Sequence, residues 1–82
     1  MPTSKPAKPI SYAVEQRLRL IDFLFAHYNR VNRSALVDYF GISVPQASAD
    51  IQLYLKSAGD GVVYDVKNRS YAATLTFKRQ YP

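Results

Sequence analysis

The sequence predicts an α+β domain, mainly helical and finished by a small β-hairpin. Three observations predict it. Apolar residues recur at helical spacing across most of 10–58, with two interruptions. The stretch 62–77 changes to β-branched and aromatic residues around a polar tip. The chain has 82 residues, the length of one domain.

Segment 1–10 carries Pro2, Pro6 and Pro9 with Lys5 and Lys8 and has no apolar periodicity. It reads as a flexible basic arm. The domain is expected over 11–77, with 78–82 as a C-terminal tail. The first helix is expected over 11–29. Ser11 suits its N-cap, but Val14 stands where a capping box needs Glu or Gln. Leu18, Ile21, Leu24, Phe25 and Tyr28 form one apolar stripe, with Arg17, Arg19, Asp22 and His27 off it.

A short extended piece follows at 30–32. Asn32 can cap a second helix over 33–40, with Leu36, Val37 and Phe40 on its buried side. Gly41 suits the left-handed residue that ends it. Ser43 opens a third helix running to about residue 57. Its hydroxyl and Gln46 make a Ser-x-x-Gln capping box, and Pro45 falls in the first turn. The run Ala58, Gly59, Asp60, Gly61 ends that helix in a turn. Val62, Val63, Tyr64 and Val66 favour a strand, 65–69 is a polar tip, and 70–73 returns as a second strand. Leu75 and Phe77 extend that strand or begin another. Helix, short strand, helix, turn, helix, hairpin is the order of a winged helix-turn-helix: three helices plus a wing.

The third helix would carry function. At about 100° per residue, Val44, Ala47, Ile51, Tyr54, Leu55 and Ala58 share one arc and anchor the helix. Pro45, Gln46, Ala49, Gln52, Leu53 and Lys56 share the other, with Ser48 and Asp50 at the borders; Leu53 is expected to pack beneath the hairpin. Small residues there let the backbone approach base edges in a major groove. Gln46 can bond adenine N6 and N7, and Ala49 can meet a thymine methyl. Ser43 and the first backbone N–H groups suit phosphate. The turn Gly41, Ile42, Ser43 has the length to join two steeply crossed helices. The alternative is a capped surface helix merely solvated by Gln and Ser. At the hairpin tip, Lys67, Asn68 and Arg69 suit a wing lying on the backbone or in a minor groove, or else an ordinary polar turn. Arg30 and Arg33 flank the second helix, where a phosphate could lie or where they are simply solvated.

Eleven Lys and Arg against six Asp and Glu leave a net charge of +5. Such a balance favours polyanions, nucleic acid before an anionic membrane, though it also serves solubility. With no cysteine and one histidine, disulfides and thiolate metal sites are excluded and no metal or other cofactor is expected. The carboxylates Glu15, Asp22, Asp38, Asp50, Asp60 and Asp65 are scattered and read as solvated faces or caps. No nucleophile–base set and no Gly-rich phosphate loop is present, so an enzyme is the least supported class. Asn32 and Asn68 each begin an Asn-x-Ser sequon, read as a chance match. No apolar run spans a bilayer and no signal-peptide core is visible, so no membrane partner and a cytoplasmic, nucleoid-associated protein are expected.

The run 30–50, RVNRSALVDYFGISVPQASAD, is distinctive, most of all 41–50. It resembles the N-terminal domain of the WYL-domain transcriptional repressors of bacterial phage-defence systems, the BrxR and CapW group. Val63, Tyr64 and Asp65, followed by Ser70 and Tyr71, resemble that group's wing strands, so the likeness covers about 17–77. It implies a homodimeric repressor binding an inverted repeat in double-stranded DNA. It also implies that Ser43, Pro45, Gln46 and Ser48 face DNA, with Lys67 and Arg69 on the wing. Members of the group continue into an effector-binding WYL domain and a dimerising domain that the matched residues do not include. The expected function is therefore sequence-specific DNA binding, through Ser43, Pro45, Gln46, Ser48, Ala49, Gln52, Arg30, Arg33, Lys67, Asn68 and Arg69. The alternative is a winged helix used for protein–protein contact.

Overall fold

The computed structural model describes residues 11–82; the basic arm with Lys5 and Lys8 lies outside them. The element order is α1 Tyr12–Tyr28, β1 Arg30–Val31, α2 Arg33–Phe40, α3 Val44–Ala58, a 3-10 turn Gly59–Gly61, β2 Val62–Asp65 and β3 Ser70–Ala73. This is the winged helix-turn-helix arrangement that the sequence predicts.

Each helix begins on the residue expected to cap it. Ser11 accepts the Val14 N–H at 3.2 Å, Asn32 the Ala35 N–H at 2.9 Å and Ser43 the Gln46 N–H at 3.2 Å. These side chains satisfy donors that a helix start leaves without backbone partners. Two helices end in left-handed residues, Asn29 at φ 66° and Gly41 at φ 68°. Gly41 therefore begins a three-residue turn, 41–43, that swings α3 across α2.

The sheet has the order β1-β3-β2, all antiparallel, with β1 as an edge strand beside β3. Tyr64 stands opposite Tyr71, and their ring centroids lie 4.8 Å apart. The Ala73 N–H reaches back to the Asn29 carbonyl at 2.8 Å, which ties the wing to the end of α1.

The core is built from Leu18, Ile21 and Phe25 of α1, Val31 of β1, Leu36 of α2, Ala47, Ile51 and Tyr54 of α3, and Val62 of β2. Large side chains dominate it, and each fully buried one contributes about 1.5–3 kcal/mol relative to exposure. Phe25 is the hub, with its ring 5.7 Å from Tyr54 and 5.8 Å from Phe77. Leu53 is half-buried against this core. Gly61 packs closely beneath Phe77: a Cβ there would lie 3.1 Å from the Phe77 Cα, so that backbone would have to give by a few tenths of an ångström.

Several expectations need correcting. Tyr28 is 67% exposed, because the chain reverses at Asn29 and the core ends at Phe25. Val44, the first residue of α3, is half-exposed at the mouth of a surface cleft. Val66 lies in the hairpin turn rather than in a strand and is exposed. Leu75 extends no strand. It is fully exposed in a turn where the Thr74 side chain donates to the Asp60 carbonyl at 3.1 Å.

Asp22 and Asp50, read as solvated, are both buried. Each is buried because donors surround it. Asp22 accepts from the Tyr54 hydroxyl, the Arg79 Nε at 2.6 Å, and the Gln80 and Tyr81 N–H groups at 2.7 and 3.0 Å. The segment expected as a tail is thereby tied to α1 through 79–81. Arg19 adds a cation–π contact, 5.4 Å from the Tyr81 ring centroid.

Candidate nucleic-acid interface

The outward arc of α3 carries Pro45, Gln46, Ala49, Gln52 and Lys56, all exposed, with Ser48 half-buried at its border. Asp50 is the one carboxylate on this helix, and it is buried against Arg17. The outward face therefore presents no negative charge. A phosphate backbone approaching it meets amides, methyl groups and a helix N-terminus.

The cations divide into two groups. Arg17, Arg19, Arg30 and Arg79 are paired with Asp50, Glu15, Asp65 and Asp22. Among the described residues, Arg33, Lys56, Lys67, Arg69 and Lys78 have no ion pair. Arg33 stands at the start of α2, and Lys67 and Arg69 at the wing tip. The wing tip and α2 enclose a cleft of about 380 Å³, lined by Arg33, Ser34, Val44, Asn68 and Arg69 among others. Arg33 and Arg69 thus share one surface depression next to the start of α3.

The wing turn is built on Asp65. Its carboxylate accepts from the Asn68 N–H at 3.2 Å and the Asn68 side chain at 2.7 Å. These two bonds, with Arg30 alongside, hold its carboxyl below the usual carboxylate range against a small opposing effect of desolvation. Arg69 follows at φ 51°, a left-handed conformation unusual for a side-chain-bearing residue.

The expected site residues fall into two sets and two single positions. Ser43, Pro45, Gln46, Ser48, Ala49 and Gln52 lie along α3 and its cap, and Lys67, Asn68 and Arg69 lie at the wing tip. Arg33 joins these two sets, donating to the Ser48 hydroxyl at 3.3 Å. Arg30 stands apart. Its guanidinium is turned to the wing base, 2.8 Å from the Ser70 hydroxyl and 3.1 Å from Asp65.

Gln46 also departs from expectation. Its backbone N–H bonds Ser43, but its side chain does not reach back to complete a capping box. The side-chain amide instead donates to Asp50 at 2.9 Å. The buried carboxylate one turn along the helix gives the amide N–H a charged acceptor, whereas a capping box would have Oε1 accept from the exposed Ser43 N–H. Sequence reasoning missed Arg17, Asp50 and Tyr71. Tyr71 accepts from the Gln52 side chain at 3.2 Å. The i, i+4 spacing of Gln46 and Asp50 is a signal available in the sequence. The Arg17–Asp50 pairing, across 33 positions, is not.

Residues 13–81 match the family model described as the BrxR transcriptional regulator winged helix-turn-helix domain. The chain belongs to the BrxR winged-helix family. Within it, the chain is 46% identical over 81 residues to the protein named DNA-binding transcriptional repressor CapW of Pseudomonas aeruginosa, covering 99% of this chain and 27% of that protein. It is 44% identical over 75 residues to the protein of the same name from Stenotrophomonas maltophilia, covering 92% and 25%. To that of Escherichia coli it is 46% identical over 67 residues, covering 82% and 22%. The BrxR-type chain thus spans about a quarter of the length of the curated relatives it matches.

Among the described residues, no group of three or more His, Asp or Glu side chains is placed to hold a metal ion. No helix among them is long and apolar enough to cross a membrane.

Proposed function

We propose that this chain is the DNA-reading domain of a transcriptional repressor, a binding module rather than an enzyme. The single observation that carries the reading is the charge layout. The outward face of α3 has no exposed carboxylate and is flanked by Arg33, Lys67 and Arg69, which have no ion pair among the described residues. The names of its relatives, DNA-binding transcriptional repressors, favour the same reading.

In this reading α3 enters the major groove by its N-terminal half. Pro45, Gln46, Ala49 and Gln52 face base edges, while Ser43 and Ser48 meet the backbone. Arg33 and Arg69 take a phosphate in their shared cleft, and Lys67 and Asn68 follow the backbone or the adjacent minor groove. Arg30 acts at one remove by bracing the wing. The protein is a cytoplasmic regulator of a phage-defence locus. It binds as a homodimer, so its site is an inverted repeat.

The test is duplex affinity against salt. Neutralised phosphates release counterions, so affinity falls steeply as salt rises. Changing Lys67 and Arg69 together to Ala should reduce the log–log slope by about 2, one for each cation removed. Undetectable binding to duplex DNA at low salt overturns the reading.

A further inference from the structure

We propose that Asp50 is a positioning residue: held by Arg17, it fixes the Gln46 amide so that α3 presents an adenine-reading edge. The proposal rests on the reading of α3 as the base-reading helix and adds how one of its side chains acquires a preference.

The chain of contacts runs from α1 to the exposed face of α3. Arg17 Nε donates to Asp50 Oδ2, and Arg17 Nη2 lies 3.4 Å from Oδ1. Both side chains are shielded, Arg17 at 12% exposure and Asp50 at 2%. Asp50 Oδ1 then accepts from Gln46 Nε2 at 2.9 Å, and Gln46 is exposed.

A carboxylate paired with a guanidinium can only accept, so it can face only the nitrogen of the Gln46 amide. This removes the ambiguity that a free glutamine has between its oxygen and nitrogen ends. It also selects which proton is used. Donation by the proton cis to Oε1 would bring that oxygen toward the carboxylate, whereas donation by the trans proton keeps the two oxygens apart. Oε1 and the cis proton remain together as one acceptor and one donor. Adenine offers the complement in the major groove, an N6 donor and an N7 acceptor, while guanine offers two acceptors and sets O6 against Oε1. Held this way, Gln46 favours adenine and disfavours guanine without first ordering its amide.

Selection from a random duplex pool tests the proposal on four chains: wild type, Gln46→Ala, Asp50→Asn and the double variant. The wild type should select adenine over guanine about tenfold at the position whose preference Gln46→Ala abolishes. Asp50→Asn should reduce that preference several-fold and have no further effect when Gln46 is already Ala. A wild-type chain that selects no sequence overturns the DNA reading and the proposal with it. A wild-type motif that Gln46→Ala or Asp50→Asn leaves unchanged overturns the proposal alone. A uniform loss across all sequences in Asp50→Asn, equal in both backgrounds, assigns Asp50 a structural role only and also overturns it. NMR of the wild-type chain gives an arm that does not depend on folding of the variant. One Gln46 side-chain amide proton should be displaced and slowed in exchange. Two protons at the shifts and rates of a free glutamine overturn the Asp50 contact.

Discussion

The Tyr54 hydroxyl donates to the Asp22 carboxylate at 2.5 Å, joining α3 to α1 inside the core. The same carboxylate takes Arg79 and the backbone of Gln80 and Tyr81. One buried charge therefore fastens the putting-together of three parts of the chain: α1, α3 and the segment after the wing. Removing it strands several donors at once. Asp22→Ala should cost about 3 kcal/mol, the low end for a broken buried pair, because Arg79 is one-third exposed and can recover water. Tyr54→Phe, which removes one neighbour of a carboxylate that keeps its others, should cost about 1–2 kcal/mol. Urea denaturation checks both, and equal midpoints for wild type and Asp22→Ala would refute the anchoring role.

The same site makes stability depend on pH. Burial raises the pKa of Asp22, but the bonds from Tyr54, Gln80, Arg79 and Tyr81 outweigh it and hold the carboxyl below its usual range. A carboxyl with a lowered folded-state pKa binds protons more readily unfolded than folded. Its stabilisation is present above the unfolded value, about 3.9, and is lost as pH falls through the folded one. The stability gap between wild type and Asp22→Asn should therefore be constant near neutrality and shrink below about pH 4. Urea midpoints of both chains at pH 7 and pH 3 measure it. A gap that does not narrow in acid contradicts the assignment.

Local chemistry was legible in the sequence and pairing across the fold was not. Ser11, Asn32 and Ser43 cap helices where their residue types say they should, because a cap is decided within four residues. Gly41 ends α2 for the same kind of reason. Asp22 and Asp50 looked like surface charges because burial of a carboxylate depends on donors from distant segments. Those donors are Arg17, 33 positions from Asp50, and Arg79, 57 positions from Asp22. Tyr28 failed in the opposite direction: its helical phase fits the apolar stripe, but phase does not say where the opposing layer stops. On the candidate interface, the residue types of α3 and the wing tip were readable. The diversion of Gln46 to Asp50 and of Arg30 to Asp65 follows only from three-dimensional neighbours.

The turn between α2 and α3 has its own test. Gly41 lies at φ 68°, and a Cβ built there meets nothing within 4 Å. Steric space is therefore no obstacle to Gly41→Ala, and only the backbone conformation opposes it. A left-handed alanine costs about 1 kcal/mol, and Gly41→Asn should cost less because asparagine tolerates that region. Thermal melts rank the three chains Gly, Asn, Ala in falling stability. Alanine as stable as glycine would show that the turn can relax to negative φ.

Arg69 offers the reverse trade. At φ 51° it occupies a region where glycine or asparagine is the easier residue, and it has no ion pair among the described residues to hold it there. Strain kept at an exposed cation is explained when the charge has a use. Arg69→Gly should raise stability modestly, by about 0.5 kcal/mol, since relief at positive φ is partly offset by the greater freedom of unfolded glycine. The same change should weaken duplex binding at low salt and lower the salt slope by about 1. Arg69→Asn separates the two effects, as it keeps tolerance of the left-handed region and loses the charge. Both variants should bind DNA equally poorly while melting no lower than wild type. If Arg69→Gly melts lower and binds as well as wild type, the residue serves the turn and not the phosphate.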